Sequence, residues 1–263
     1  MKISIITIVF NDVKNIEKTI LSIRNQKIKD LEYIIIDGGS TDGTVDILKH
    51  YDDVISYWSS EKDKGIVDAF NKGIKKASGD IIALVNSADF LEPHALEKVT
   101  EAFQNSDADI VYGNMQYWEN EEKEYVYKAD HTLLPKFMSL NHPAVFVKKE
   151  LYNTYGIFDA NYKIAMDYDL LLRFYTNGAK FRYINSILSN MTLGGISDIN
   201  WKSAYHESFN IRKKYLGNSV SLYISYLWQV LKRHISNMVS DLGLEGIKKS
   251  YRTYFSSIKK EKS

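Results

Sequence analysis

The sequence of 263 residues contains no cysteine and only three prolines. The lack of cysteine excludes a disulfide framework and a thiolate zinc site, and it suits a reducing compartment. No uninterrupted apolar run approaches the roughly 18 residues that a membrane-spanning helix requires. Residues 3–10 are almost wholly apolar, but no small-residue cleavage site follows them, so we interpret them as a buried strand and not as a signal peptide. These absences predict a soluble or peripheral protein.

The residues that are present are those of an ordinary globular protein, with 44% hydrophobic residues, 25% charged residues and a formal net charge of +1. The charge is unevenly distributed along the chain. Residues 201–263 carry twelve Lys and Arg against four Asp and Glu, a net charge of +8, whereas residues 1–200 carry a net charge of −7. This asymmetry predicts a main domain over residues 1–200 and a basic, aromatic-rich helical extension over residues 201–263.

The extension allows three interpretations. Its apolar residues could pack on the main domain, on a second subunit of a homodimer, or in a membrane interface beside anionic lipid. Basic residues interleaved with tyrosine also occur in nucleic-acid binders. No nucleic-acid motif accompanies them in residues 201–263, so we predict no such partner.

Short apolar runs alternate with segments of helical spacing in the first part of the chain. The runs are residues 3–10, 32–36, 54–58 and 81–85. This alternation predicts a doubly wound α/β start, with a mostly parallel sheet covered by helices on both faces. Beyond residue 93 the pattern changes to antiparallel pairing. The later elements are predicted as strands at 109–118, 125–129 and 180–186, a polar hairpin turn at 119–124, and helices near 148–155 and 167–177.

A polar loop follows each of the first four predicted strands. The loops contain, in chain order, Asn11-Asp12, Asp37-Gly38-Gly39-Ser40, Asp63-Lys64-Gly65 and Asn86-Ser87-Ala88-Asp89. Asn, Ser and Asp are ordinary turn residues. In open α/β sheets, however, ligands bind beyond the carboxyl ends of the strands. Four such loops on one sheet edge therefore favour a polar pocket.

The loop after the first strand has no glycine in residues 11–14, and no Walker sequence occurs anywhere in the chain. A Gly-rich cradle for phosphates is therefore not predicted. A divalent cation held by a carboxylate is the substitute, since Mg²⁺ and Mn²⁺ often bridge one or two carboxylates to substrate phosphates. Asp89, in the stretch LVNSADF at the end of an apolar strand, is the candidate ligand.

Five segments follow one another in the order of the motifs of family 2 glycosyltransferases: ISIITIVFND, EYIIIDGGSTDGT, SEKDKGIVDAFNKGI, ASGDIIALVNSADF and GIFDANYKIAMDYDLLLRF. The resemblance covers about residues 1–190, and more narrowly it is to members of bacterial capsule, O-antigen and exopolysaccharide assembly. It implies a GT-A fold, a Rossmann-like mixed sheet flanked by helices as in nucleotide-diphospho-sugar transferases. It also implies an inverting transfer of a sugar from a nucleoside diphosphate sugar to an acceptor hydroxyl.

The resemblance further implies a nucleotide site. Asp37 would accept a hydrogen bond from the nucleobase, and the main chain from Thr7 to Phe10 would line the base pocket. Capping of its own turn is the alternative role of Asp37. The full set of predicted nucleotide-binding residues is Thr7, Val9, Phe10, Asn11, Asp37, Gly38, Asp63, Lys64, Asp68, Asn86 and Ser87. Asn71, one helical turn after Asp68, would face the same site, and pairing on the helix surface is the alternative role of both residues.

Three residues carry the chemistry that the resemblance implies. Asp89 would be the metal ligand, although Ser87-Ala88 stands where the family usually has a further aspartate, so no second protein carboxylate is predicted. Asp167 would be the general base that removes the proton of the acceptor hydroxyl; an N-cap is its alternative role. His142 would contact the acceptor or the diphosphate.

The leading hypothesis is an inverting, Mn²⁺- or Mg²⁺-dependent glycosyltransferase of bacterial surface polysaccharide assembly. It would act in the cytoplasm at the inner face of the membrane, on a lipid-linked saccharide, with residues 192–197 as a loop over the site. One alternative is a sugar nucleotidyltransferase, which would need a Gly- and Arg-rich loop after the first strand that this sequence lacks. The other alternative is a non-catalytic sugar- or nucleotide-binding protein of the same fold.

Overall fold

The structure, a computed structural model, describes residues 1–119, 121–193, 200–241 and 260–262. The strands are β1 Ile3–Val9, β2 Leu31–Asp37, β3 Tyr57–Ser60, β4 Ile81–Leu84, β5 Phe90–Leu91, β6 Ile110–Glu119, β7 Glu122–Tyr127, β8 Val145–Lys148, β9 Phe181–Thr192 and β10 Lys260–Lys262. The helices are α1 Ile16–Arg24, α2 Thr44–His50, α3 Ile66–Lys76, α4 Ala95–Gln104, α5 Lys149–Tyr155, α6 Met166–Thr176, α7 Trp201–Leu216 and α8 Val220–Asp241.

The strands form one mixed sheet in the order β10-β7-β6-β8-β4-β1-β2-β3, with β9 beside β6 and β5 beside β9. Strands β3, β2, β1 and β4 are parallel to one another, as the alternation of strands and helices predicts. Strand β8 then runs antiparallel to both β4 and β6. The predicted change to antiparallel pairing is therefore confirmed for β6, β7 and β8, whereas β9 pairs parallel with β6.

Hydrophobic cores cover both faces of the sheet. Alternate residues of β1 point to opposite faces, so Ile3 and Ile5 join one core and Ile6 joins the other. The first core contains residues of α1, α2 and α4, and the second contains residues of α3, α5 and α6. Two-sided burial explains why these strands have continuous apolar runs.

Three element predictions need correction. The hairpin turn predicted at 119–124 is shorter, because β6 extends to Glu119 and β7 begins at Glu122. The third strand occupies Tyr57–Ser60 and not residues 54–58, because the backbone N–H groups of Val54 and Ile55 both donate to the carbonyl of Tyr51 in the turn that ends α2. The extension is not helical throughout, since Lys260–Lys262 form a short strand that pairs antiparallel with β7.

Within its described residues, the extension contains helices α7 and α8. Residues 242–259, which belong to the predicted extension, lie outside the described residues, as do residues 194–197 of the predicted loop over the site. Ile211 on α7 is fully buried in the core that also holds α6. Packing of α7 on the main domain is therefore observed. Among the described residues, no helix is both long and apolar enough to cross a membrane.

Candidate active site

The loops that follow β1, β2 and β4 meet at one edge of the sheet, because these parallel strands end together. The backbone N–H of Gly38 donates to the carbonyl of Val9 at 2.9 Å, and that of Ser87 donates to the carbonyl of Ile8 at 3.2 Å. Thr7 is fully buried below this edge. The structure thus brings together several of the residues predicted to line a nucleotide pocket.

The Asp37 carboxylate is buried and fully engaged within the chain. It accepts the backbone N–H groups of Gly39 at 3.1 Å and Ser40 at 2.9 Å, and the hydroxyls of Ser40 and Ser60. These contacts are those of a carboxylate that fixes its own turn, the alternative role considered from the sequence. They also tie the end of β3 to the end of β2. A hydrogen bond from Asp37 to a nucleobase stays a prediction.

Phe10, Gly38 and Asp63 form the surface where three loops converge. The Phe10 ring is 63% exposed at the end of β1. A Cβ atom at Gly38 would lie 2.8 Å from Asp63 Oδ2 and 3.2 Å from Phe10 Cδ2, so only glycine fits there without displacement of a neighbour. An exposed aromatic ring beside side-chain-free backbone is suited to stacking against another flat ring.

Asn11 fastens the first loop to the second. Its backbone adopts a left-handed conformation with φ of 49°, its side-chain Oδ1 accepts the N–H of Thr41 at 2.9 Å, and its own N–H donates to Ser40 Oγ at 2.7 Å. Asn tolerates this region of backbone space better than most residues. Asn11 therefore holds the shape of the predicted pocket through contacts within the chain.

The residues at the start of α3 are paired locally. Asp68 accepts the backbone N–H of Lys64 at 3.1 Å, which is the main cause that lowers the pKa of Asp68, and it lies 3.5 Å from the Lys72 ammonium. Asn71 instead bonds both backbone groups of Phe158, each at 3.0 Å. Asp68 thus stabilises the helix start, while Asn71 connects α3 to the segment that precedes α6.

Asp89 closes a tight turn after β4. Its backbone N–H donates to the carbonyl of Asn86 at 3.1 Å, and its Oδ2 accepts from Asn86 Nδ2 at 3.0 Å. Ala88 is held in the left-handed region with φ of 75°, which is costly for a residue with a Cβ atom. Asp89 is only 4% exposed, and burial raises its pKa to about 7 despite the hydrogen bonds from Asn86.

The residues at this turn fit a divalent cation whose coordination shell is completed by substrate phosphates and water. No group of three or more His, Asp or Glu side chains that could hold a metal occurs in the described part of the chain. Asp89 is a buried carboxylate whose side-chain hydrogen bond comes from a neutral amide and not from a cation. A nearby positive charge would offset the cost of its ionisation. One carboxylate oxygen together with substrate phosphates and water is a common set of Mg²⁺ or Mn²⁺ ligands.

Asp167 and His142 form a hydrogen-bonded pair. Asp167 Oδ1 lies 2.7 Å from His142 Nδ1, the imidazole side chain is 5% exposed and the carboxylate side chain is 33% exposed. An ionised carboxylate only accepts hydrogen bonds, so Nδ1 is the protonated nitrogen of this histidine. The pair presents a carboxylate that is accessible and held in one orientation.

Phe158 links this pair to the nucleotide side of the fold. Its ring centroid lies 5.7 Å from that of His142 and 5.4 Å from that of Phe70 on α3. Since Asn71 on the same helix bonds the Phe158 backbone, α3 contacts the segment around the Asp167–His142 pair. The structure therefore brings the predicted base and the predicted nucleotide loops onto one connected framework.

Glu207 on α7 orders the chain just ahead of Asp167. Its carboxylate accepts the backbone N–H groups of Lys163 at 3.1 Å, Ile164 at 2.9 Å and Ala165 at 2.8 Å. Ala165 is the residue before α6, in which Asp167 is the second residue. Glu207 was not among the residues predicted from the sequence. It is, however, the single acid in residues 201–240. An isolated acid in a basic segment is the sequence signal that could have identified it.

Asp169 on α6 connects this helix to α7. It is completely buried and accepts hydrogen bonds from Arg173 Nη2 at 2.7 Å, Lys214 Nζ at 3.1 Å and Tyr215 Oη at 2.9 Å. Its carboxylate is therefore engaged by contacts within the chain, with partners different from those of Asp167. Its partners Lys214 and Tyr215 lie on α7, and sequence spacing alone gave no signal for them.

A match to the model of glycosyl transferase family 2 covers residues 4–169. The chain belongs to this family, which confirms the resemblance drawn from its motifs. It is 33% identical over 177 residues to a Mycobacterium tuberculosis protein named as an uncharacterized glycosyltransferase, a match that covers 65% of this chain and 68% of the relative. It is 28% identical over 185 residues to the PGL/p-HBAD biosynthesis glycosyltransferase of Mycobacterium bovis, with 67% and 72% of the two chains covered.

Solved structures confirm the GT-A fold. The S. aureus TarS 1–349 complex with UDP-GlcNAc matches with a TM-score of 0.67 and 19% identity, over 90% of this chain and 73% of that one. The mannosyltransferase PcManGT of Pyrobaculum calidifontis, in complex with GDP-Man and Mn²⁺, matches with a TM-score of 0.68 and 13% identity, over 97% and 81%. The matched region spans 44% of another, longer TarS chain.

Proposed function

We propose that this glycosyltransferase is inverting and moves a sugar from a nucleoside diphosphate sugar to the hydroxyl of a saccharide acceptor. The observation that carries the proposal is the Asp167–His142 pair, an accessible carboxylate held by a buried imidazole 2.7 Å away. A base of this kind is what direct attack by an acceptor hydroxyl requires.

The donor would lie on the sheet edge described above. Its base would stack on Phe10 beside Gly38, and its diphosphate would lie at the turn that carries Asp89. A bound Mn²⁺ or Mg²⁺ would stabilise the negative charge of the leaving diphosphate, with Asp89 as its protein ligand. Two structures of similar fold support this arrangement. TarS is in complex with UDP-GlcNAc, and PcManGT is in complex with GDP-Man and Mn²⁺.

In the transfer step the acceptor oxygen attacks the anomeric carbon from the face opposite the diphosphate. The new carbon–oxygen bond forms as the bond to the diphosphate oxygen breaks, and the nucleoside diphosphate leaves with the bonding electrons. Asp167 takes the proton from the attacking hydroxyl. His142 keeps the carboxylate in position through its Nδ1–H group.

The acceptor is proposed to be a lipid-linked saccharide of bacterial surface polysaccharide assembly, used at the inner face of the cytoplasmic membrane. Helix α8 supports membrane contact, because one stripe of it is apolar and exposed. The stripe contains Val220, Ile224, Leu227, Leu231 and Met238, between 49% and 77% exposed. Lys232 lies beside the exposed Trp228, an arrangement suited to the surface of anionic lipid.

The test is a thermal-shift panel of UDP, GDP, dTDP and CMP, each with and without Mn²⁺, on the wild type and on Asp89→Ala. A ligand that binds only the folded protein raises its melting temperature. We expect one diphosphate to stabilise the wild type only when Mn²⁺ is present, and not to stabilise the variant. Stabilisation that is independent of Mn²⁺ and of Asp89 would contradict the metal role, and no stabilisation by any nucleotide would contradict the donor class.

A further inference from the structure

A cavity of about 260 Å³ lies outside the nucleotide edge, between α6, α7, α8 and the segment around Lys136. Tyr168, the residue after Asp167, forms part of its wall. The cavity is therefore placed beside the helix that carries the proposed base. No residue of the predicted nucleotide site lines it.

The lining of the cavity is positively charged. It contains Lys136, Arg212 and Arg233 and no acidic residue. Arg212 is only partly exposed, and it donates to two neutral oxygens, the carbonyl of Pro135 at 3.2 Å and Ser225 Oγ at 3.1 Å. Over the described residues, neither Arg212 nor Lys136 has a carboxylate within ion-pair distance. Because the positive charges of Arg212 and Lys136 are not neutralised by a carboxylate there, the cavity favours an anionic ligand.

Aromatic rings supply the rest of the surface. Trp201, Phe209 and Tyr226 line the cavity, and the centroids of the last two rings lie 4.9 Å apart. Faces of this kind bind apolar chains and the apolar faces of sugars. Guanidinium and ammonium groups beside aromatic faces match a ligand that has a phosphate group next to an apolar or sugar portion.

We propose that this cavity binds the phosphate or diphosphate group of the acceptor, and so places the acceptor beside Asp167. The inference rests on the proposed function, because it assigns the acceptor subsite of the same reaction. Two kinds of acceptor share this chemistry: a prenyl diphosphate that carries a saccharide, and a water-soluble sugar phosphate. The cavity would hold the anionic group of either one by Arg212 and Lys136.

The experiment is isothermal titration calorimetry of the full chain with inorganic pyrophosphate and with geranylgeranyl diphosphate in detergent. It is done in EDTA, because the proposed donor site needs a cation to hold a diphosphate. Both probes are expected to bind and to change the fluorescence of Trp201, a change that Trp201→Phe should remove. Tighter binding of the prenyl compound identifies a lipid source, and equal affinity identifies the water-soluble source.

Lys136→Met and Arg212→Gln are each expected to weaken binding of both probes by roughly tenfold. Lys213→Met is the matched control, because Lys213 is exposed on the same helix and does not line the cavity. Lys136 is exposed, so its variant keeps the test informative if Arg212→Gln fails to fold. The thermal shift by nucleotide and Mn²⁺ should be unchanged in all three variants.

The proposal would be overturned if neither probe binds in EDTA, or if Lys213→Met weakens binding as much as Lys136→Met does. The second result would mean that the overall charge of the extension attracts the probes. These outcomes are separate from failure of the proposed function, which would appear as a loss of the Mn²⁺-dependent thermal shift by nucleotide.

Discussion

His142 Nδ1 lies 2.7 Å from Asp167 Oδ1, and the imidazole is almost completely buried while the carboxylate is one-third exposed. The second imidazole nitrogen, Nε2, is buried without a hydrogen-bond partner among the described residues. This asymmetry separates the two roles in the pair. In the proposed transfer, the histidine would fix the orientation of the pair, and the aspartate would offer an oxygen to the incoming hydroxyl.

Asp167→Asn should lower kcat for transfer by at least about 100-fold, because an amide cannot accept the proton of the acceptor. His142→Gln keeps a donor near Asp167, so we expect a smaller loss, on the order of tenfold. Nucleotide binding, measured by thermal shift, should be unchanged in both variants. Asp107→Asn, at an exposed aspartate, is the control; wild-type turnover by Asp167→Asn would remove the base assignment.

Binding of Mn²⁺ in the presence of nucleotide should strengthen with pH. Burial raises the pKa of Asp89 to about 7, so below this pH a proton must leave before a cation can bind. We expect the apparent affinity for Mn²⁺ to rise about tenfold per pH unit up to about pH 7 and then to level off. Titrations between pH 5.5 and 8.5 measure this, and an affinity that is constant over the range would contradict it.

The same carboxylate should lower the stability of the metal-free protein. Its pKa is higher in the folded state than its ordinary value of 3.8, so the folded state binds more protons and loses stability as the pH rises from about 4 to about 7. Asp89→Asn should therefore be more stable than the wild type at pH 8 in EDTA, and of similar stability near pH 4. Urea unfolding at both pH values tests this sign.

Phe10→Ala should weaken nucleotide binding by about tenfold, since stacking of a base on an aromatic ring contributes roughly 1–3 kcal/mol. Because the ring is 63% exposed, we expect little change in the free energy of unfolding. Trp228→Ala, at an aromatic residue that is 54% exposed on α8, is the matched control. Equal nucleotide affinity in the wild type and Phe10→Ala would exclude Phe10 from the base pocket.

Glu207→Gln should reduce kcat while the KM for the donor stays near that of the wild type. The variant weakens the three hydrogen bonds that order residues 163–165 ahead of Asp167, and bonds to a charged group contribute about 1.5–3 kcal/mol each. Glu150→Gln, at an exposed position on α5, is the control. A variant that loses stability but keeps its kcat would give Glu207 a purely structural role.

Glu32→Gln should destabilise the protein at neutral pH. Burial raises the pKa of Glu32, but hydrogen bonds from Lys2, Ser4 and Ser78 outweigh it and bring the pKa to about 2. A lowered pKa gives stability that is present above the ordinary value and lost as the pH falls from about 4.5 to about 2. We expect a loss of roughly 2 kcal/mol at pH 7 after allowance for partial exposure. The exposed Glu101→Gln is the control, and convergence of wild type and Glu32→Gln near pH 2 is the check.

The sequence predicted the elements whose pattern is local. Continuous apolar runs identified β1, β2 and β4, because burial on both faces favours apolar residues along these strands. The third strand was misplaced because Val54 and Ile55 are as apolar as a strand but are bonded back to Tyr51 in a turn. Hydrophobicity alone does not separate these two states.

The contacts that organise the site join distant parts of the chain, so most of them could not be predicted from the sequence. Asp37 and Asn11 could be placed at strand ends, but their bonds to Ser60 and Thr41 depend on how the loops meet. The link from Glu207 to residues 163–165 spans more than 40 positions. Spacing on one helix or strand carries no information about such a partner.

Helix α7 forms hydrogen bonds to the chain both before and after Asp167, and this has a consequence for engineering. The family match ends at residue 169, yet Glu207, Lys214 and Tyr215 bond the segment around that boundary. A chimera that exchanges only the family-matched residues 4–169 would separate the start of α6 from its hydrogen-bond partners on α7. A crossover point for hybrid enzymes should therefore lie after Leu216, so that α6 and α7 are exchanged together.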